Sequence, residues 1–199
     1  MTIAAELGPM HAASLVHDPK HVVFVFARYL FVSKMVTGCC NVLEVGCGDG
    51  TGAHIVRPVV QKLYGLDLVP PLHYPGSFLQ GNILAAPVPI SGGWDAVFAL
   101  DVLEHIKPSD EYTAIDNMVH HLNPSGIVII GMPSLESQPY ASELSKRHHV
   151  NTKTEEQLRG TMSQHFRNVF MFGMNDCALH TGFGPMCNYR LALCAQKRR

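Results

Sequence analysis

The stretch NVLEVGCGDGTG, Asn41 to Gly52, decides the architecture. Its first five residues are apolar and β-branched enough to predict a strand over Asn41–Val45, running directly into a glycine-rich turn and then a helix. Glycines at Gly46, Gly48 and Gly50 permit a sharp turn and a close approach of backbone to a ligand. Unpaired amides at the start of the following helix favour an anionic or carboxylate-bearing group. Glycines at such a junction also serve the turn alone. Gly48, Gly50 and Ala53 satisfy the G-x-G-x-x-G/A spacing of dinucleotide-binding turns as well, so the loop by itself leaves the nucleotide open. Asp67, closing the next apolar run, is placed to accept hydrogen bonds from ribose hydroxyls under either reading.

Outward from this loop, short apolar runs bounded by Gly, Pro or Asp recur at Asn41–Val45, Lys62–Leu68, Phe78–Gln80, Trp94–Leu100 and Gly126–Gly131. Runs apolar on both faces suit buried parallel strands. Helices are predicted over Val22–Val32, Thr51–Gln61, Ser109–Leu122 and Thr154–His165, with a kink or break at Pro58, because an interior proline removes a donor and clashes one turn back. Strand and helix alternate, which argues for a doubly wound α/β sheet. The apolar runs Asn168–Met174 and Tyr189–Ala195 have no helix between them and predict a final antiparallel pair. Pro133–Val150 is polar and long for a connection, the mark of a lid or binding segment.

At 199 residues, with 47% hydrophobic and 16% charged residues, the chain predicts one α/β domain and one core. It divides into an N-terminal helical cap (1–38), a core (41–131) and a lid segment with a C-terminal strand pair (132–199). The 15 basic and 16 acidic residues leave a formal charge of −1, with no positive field to gather a polyanion, so nucleic acid is not an expected partner. The basic end Lys197–Arg199 reads as a solvated tail. None of the six cysteines forms a C-x-x-C pair, and they read as reduced thiols. No charged n-region precedes an apolar core, and Val22–Val32 is interrupted by Arg28 and too short to span a bilayer, so a cytoplasmic protein without a membrane partner is expected.

The order of these features, from Asn41 to Ala195, resembles the class I S-adenosylmethionine-dependent methyltransferases. The family's E/D-x-G-x-G-x-G loop is matched by Glu44, Gly46, Gly48 and Gly50. The run WDAVFALDVLEHI, Trp94 to Ile106, looks like the D-V-L-E-H-I stretch of its small-molecule members, including those of quinone biosynthesis. The resemblance implies a Rossmann-like fold: a mostly parallel seven-stranded sheet with an antiparallel last strand and helices on both faces. It implies S-adenosylmethionine as cofactor and S-adenosylhomocysteine as product, with the loop backbone from Gly46 through Cys47, Gly48 and Gly50 against the methionine part and Glu44 orienting its amino group. Asp67 would hold the ribose, Leu68 would lie against the adenine, and Asn82 and Ile83 would read its edge. Asn82 stands where the family usually has Asp, but its carbonyl still meets an exocyclic amine. Leu100 and Asp101, at the end of the fourth strand, complete the implied cofactor set. Asp101 and Glu104 also read as caps for the next turn.

Methyl transfer from a sulfonium is an in-line displacement, so alignment supplies much of the catalysis and a base is needed only where the acceptor must lose a proton. His105, at the carboxyl edge of the fourth strand, is the first candidate base and His149, beside His148, the next. Asp101, Asn175 and Asp176 carry oxygen ligands, but no spacing joins them, so no metal is expected. Tyr140–Asn151, Asn175–Tyr189 and the N-terminal helix with Phe24, Tyr29 and Phe31 are expected to roof the substrate pocket. The chain thus reads as an enzyme methylating O, N or C of a small metabolite. Two other readings stay open at this level: a cofactor-binding subunit without catalysis, and a nicotinamide oxidoreductase.

Overall fold

The computed structural model describes residues 7–198. Its centre is an eight-stranded sheet in the order β3-β2-β1-β4-β5-β8-β6-β7. β1 (Asn41–Val45), β2 (Lys62–Asp67), β3 (Ser77–Gln80), β4 (Trp94–Leu100) and β5 (Leu122–Pro133) run parallel. β8 (Tyr189–Lys197) is inserted antiparallel between β5 and β6 (Phe166–Asn175), and the short β7 (Ala178–His180) closes the far edge. The sheet is therefore the expected one, with β7 as an additional edge strand. The predicted antiparallel pair is β6 with β8.

Successive side chains on a strand point to opposite faces, and the central strands are apolar on both. Leu43, Val45, Val97, Ala99, Val128 and Ile130 enter one layer with α4 (Glu111–Val119) and α6 (Glu155–His165). Val42, Ala96, Phe98 and Ile129 enter the other with α2 (Pro19–Met35) and the one-turn α3 (Ala53–Val56). Before α2 lies α1 (Pro9–His17), and the two open on prolines that need no intrahelical N–H there. α6 begins with a full capping box, Thr154 accepting from the Gln157 amide while the Gln157 side chain accepts from the Thr154 amide.

Three elements differ from their sequence reading. The helix after the glycine loop stops at Val56 and a 3₁₀ turn, Arg57–Val59, carries Pro58, so the expected break shortens the helix to a single turn. Asn123–Gly126, between the predicted helix Ser109–Leu122 and the predicted strand Gly126–Gly131, is already strand: β5 begins at Leu122, with its register to β4 shifting between Trp94 and Ala96. Pro133–Val150 is not a bare loop. It holds a 3₁₀ segment, Leu135–Tyr140, and α5 (Glu143–His148), N-capped by the Ser134 and Ser142 hydroxyls accepting from the Ser137 and Ser145 amides. Among the described residues no helix is long and apolar enough to cross a membrane.

Candidate functional site

Ligands of open α/β sheets gather at the carboxyl ends of the parallel strands, where neighbouring connections diverge. A cavity of about 1090 Å³ lies there. Its floor is the turn after β1, where Gly46, Gly48 and Gly50 all adopt positive φ (72°, 54° and 76°). The three glycines have different reasons to lack a side chain. A Cβ on Gly46 would collide with Val102, and one on Gly50 with the His73 carbonyl, whereas one on Gly48 would meet no protein atom within 4 Å. Gly46, Cys47 and Gly48 line the cavity, but Gly50 does not. It lies outside the lining, where its missing side chain allows the close passage of the His73–Tyr74 segment.

Asp67, Leu68, Asn82, Ile83, Leu100 and Asp101 all line the same cavity. Asp67 holds the turn, its Oδ2 accepting from the Gly48 amide at 2.8 Å and its Oδ1 from the Leu68 amide at 2.6 Å. Thus the carboxylate already at the loop is the chain's own. The Asn82 Oδ1 accepts from the Leu84 amide at 2.9 Å, which orients the side-chain amide. Glu44 departs from expectation. It is 1% exposed and lies behind the cavity wall, each carboxylate oxygen accepting a tyrosine hydroxyl, Tyr29 at 2.7 Å and Tyr74 at 2.8 Å. Burial pushes its carboxyl up to about 7, against the two hydrogen bonds that favour the charged form. In this geometry Glu44 holds Tyr29, which does line the cavity.

The N-terminal helices close one side through contacts that no local pattern announces. His11 of α1 reaches Asp49 in the turn, Nδ1 to Oδ1 at 2.7 Å with the His11 amide donating at 3.1 Å to Oδ2, and stacks on Phe26. Burial of Asp49 opposes its ionisation, but the hydrogen bonds from His11 and from the Thr51 amide outweigh it and hold the carboxyl well below the usual range. Arg28 of α2 lies over the Tyr189 ring, 3.7 Å from its centroid, and pairs with Asp101. Asp101 itself has a left-handed backbone (φ 57°). Of the aromatic residues expected on the roof, Tyr29 is there; Phe31 packs in the core against Phe172.

The opposite end is built by the turn after β4 and the segment after α5. The backbone carbonyl of Glu104 accepts from the Val150 and Asn151 amides, and the Asn151 side chain donates to the Leu103 carbonyl and to Glu111. These bonds bring His149 beside His105, ring centroids 5.2 Å apart. His105 Nδ1 lies 3.1 Å from the His148 carbonyl, and His149 Nδ1 lies 3.0 Å from Gln138 Oε1. Burial, and then His105, lower the His149 pKa. Under this pair the Glu104 side chain is fully buried, and neither carboxylate oxygen has a hydrogen-bond partner. Burial, with Asp101 adding to it, raises its pKa well above the ordinary value. Ser137, Gln138, Tyr140, Leu144 and His148 complete this wall. From Asn175–Tyr189 only Asn188 reaches the cavity; Phe183 and Met186 are exposed elsewhere. Asn175 holds the Met186 carbonyl and Asn188 amide.

A sheet with β1 central, β3-β2-β1-β4-β5 parallel and an antiparallel strand inserted beside β5, carrying a glycine turn after β1 and an acid at the end of β2, defines the class I S-adenosylmethionine-dependent methyltransferase fold. A family model described as a methyltransferase domain matches residues 15–168, and the chain belongs to that family. A probable S-adenosylmethionine-dependent methyltransferase of Mycolicibacterium smegmatis is 28% identical over 119 residues, covering 55% of this chain and 45% of the relative. The chain therefore matches less than half of that relative's length. Among solved structures, the N-methyltransferase NodS from Bradyrhizobium japonicum, in complex with S-adenosylhomocysteine, superposes with TM-score 0.64 at 18% identity, over 92% of this chain and 90% of NodS. The Burkholderia thailandensis 1,6-didemethyltoxoflavin-N1-methyltransferase, with 1,6-didemethyltoxoflavin and S-adenosylhomocysteine bound, superposes with TM-score 0.68 at 14% identity, over 99% and 94%.

Proposed function

We propose that the chain is an S-adenosylmethionine-dependent methyltransferase that moves a methyl group to O, N or C of a small metabolite by in-line displacement. The observation that carries this reading is one continuous cavity, walled at one end by Gly46, Gly48, Asp67 and Asn82 and at the other by His105 and His149. The clearance at Gly48 fits the cofactor: a left-handed glycine whose missing Cβ faces open space is a cradle that a ligand's methionine moiety fills. Asp67 would hold the ribose hydroxyls, Leu68 would lie against the adenine, and Asn82 and Ile83 would read its edge.

When bound, the cofactor supplies an electrophilic methyl on a sulfonium with its leaving group built in. The chain's residues orient the reactants and exclude water, and orientation of that kind supplies roughly 7–11 kcal/mol of a two-reactant barrier. Tyr29, held by Glu44, and Leu100 wall the passage between the two ends. The lid helices from Leu135 to His148 shield the acceptor end. The bound ligands of the NodS and toxoflavin structures support both the cofactor and a small acceptor. Six free thiols suit a cytoplasmic setting.

The test is calorimetric titration with S-adenosylmethionine, S-adenosylhomocysteine and NAD, followed by assay of S-adenosylhomocysteine release with metabolite extracts. One-to-one binding of the first two without NAD, and release with an extract, are expected. Binding of NAD alone overturns the reading. Cofactor binding with no release from any extract points to a non-catalytic subunit.

A further inference from the structure

We propose that Glu104, His105 and His149 form a site for a divalent first-row transition cation at the acceptor end of the cavity. One ligand atom from each lies within 4.8 Å of the others. Donor atoms about 2.0–2.2 Å from a shared ion stand roughly 3–4 Å apart, so short side-chain movements close the shell. Asp101, the remaining carboxylate beside them, is turned to Arg28 and stays outside the set.

Two independent features point to a ligand. First, Glu104 is 0% exposed with both carboxylate oxygens unpartnered. A buried carboxyl group with no partner carries the full desolvation penalty, and buried charges are otherwise paired or coordinate metals. Second, each histidine has its Nδ1 engaged with an oxygen acceptor. His105 Nδ1 faces the His148 carbonyl, which can only accept. His149 Nδ1 faces Gln138 Oε1, whose orientation is set by the Gln138 amide nitrogen lying 3.4 Å from the Ser134 carbonyl. Both ring protons therefore sit on Nδ1 and leave Nε2 with its lone pair. A ligating histidine that donates its other N–H to an oxygen acceptor is the usual supporting arrangement around metals.

Two imidazole nitrogens and one carboxylate oxygen suit Mn²⁺ to Zn²⁺ better than Mg²⁺, which prefers oxygen throughout. The site makes His105 and His149 ligands rather than bases. Taken with the proposed methyl transfer, it also directs the acceptor end toward molecules offering an oxygen donor, since three protein ligands leave coordination positions for the cavity's occupant.

The experiment is Mn²⁺ titration of the chelator-stripped chain, with free Mn²⁺ read by electron paramagnetic resonance, Zn²⁺ as competitor and Mg²⁺ as control. The expected result is one Mn²⁺ per chain, displaced by Zn²⁺ but not by equimolar Mg²⁺. Glu104→Gln and His149→Gln should each weaken uptake by more than about tenfold, the loss that removal of even a supporting group brings. If Glu104→Gln does not fold, His149→Gln, at a part-exposed position, carries the test. No uptake by the native chain, equal uptake by the folded variants, or Mg²⁺ binding as tightly as Mn²⁺ overturns the site. Cofactor binding is titrated separately: cofactor bound without cation overturns only this inference, and cation bound without cofactor overturns only the methyltransferase reading.

Discussion

Arg28 Nη1 lies 2.8 Å from Asp101 Oδ2, joining the N-terminal cap to the end of the fourth strand, while the same guanidinium covers the Tyr189 ring on β8. One side chain thus ties three separate parts of the chain around the cavity. The Arg28 side chain is 13% exposed and that of Asp101 34%, so solvent screens the pair in part. Arg28→Ala is expected to lower stability by about 1.5–3 kcal/mol, the range for hydrogen bonds to charged groups, read as a shift in urea midpoint. Arg28→Lys should recover only part of it, because an ammonium does not reproduce a planar group stacked on an aromatic ring.

Glu44 sets a pH dependence. Its carboxyl stands at about 7 in the folded chain against an ordinary 4.5, so between these values the folded state holds a proton that the unfolded state has lost. Stability therefore falls as pH rises from about 4.5 to 7 and then levels, by a few kcal/mol in order of magnitude. Glu44→Gln, whose amide can still pair with Tyr29 and Tyr74, should lack this decline. Cofactor-free unfolding at a series of pH values checks it, and parallel curves for the two proteins would contradict the assignment.

The turn glycines separate structure from binding. Gly48→Ala puts a methyl into open space, so the fold should bear only the left-handed strain, about 1–2 kcal/mol, while S-adenosylmethionine affinity drops. Gly50→Ala meets the His73 carbonyl and should destabilise the fold further, with binding lost only through unfolding. Thermal melting beside calorimetry distinguishes the two.

Asp67→Ala removes the bond to the Gly48 amide and, with it, the proposed ribose acceptor. A loss of about 10–100-fold in cofactor affinity is expected, corresponding to roughly 1.4–2.8 kcal/mol. Unchanged affinity would remove Asp67 from the cofactor site.

His105→Asn should depress S-adenosylhomocysteine release with an active extract while leaving cofactor affinity as it was, because His105 lines the proposed acceptor end. Unchanged release would take His105 out of the mechanism.

The sheet was legible because its signals are local. Trp94–Leu100 reads as a buried strand from seven consecutive residues, and the positive-φ turn from the glycine spacing after Val45. Asp67, Asn82 and Ile83 follow from strand ends, since every parallel strand delivers its last residues to the same edge. The surroundings of Gly50 and Glu44 were not legible, because spacing cannot show that a glycine packs against His73, nor that two tyrosines from distant segments occupy a carboxylate.

By itself, then, the sequence determined the doubly wound order, the glycine turn and the acid and amide at the strand ends, all consequences of backbone periodicity and glycine's conformational range. Only the tertiary structure decided that His11 grips Asp49, that Arg28 binds Asp101, and that Glu104 is buried bare beneath His105 and His149. Those pairings depend on how helices and the lid pack across the sheet edge, and the desolvation that makes them consequential exists only once that packing has excluded water.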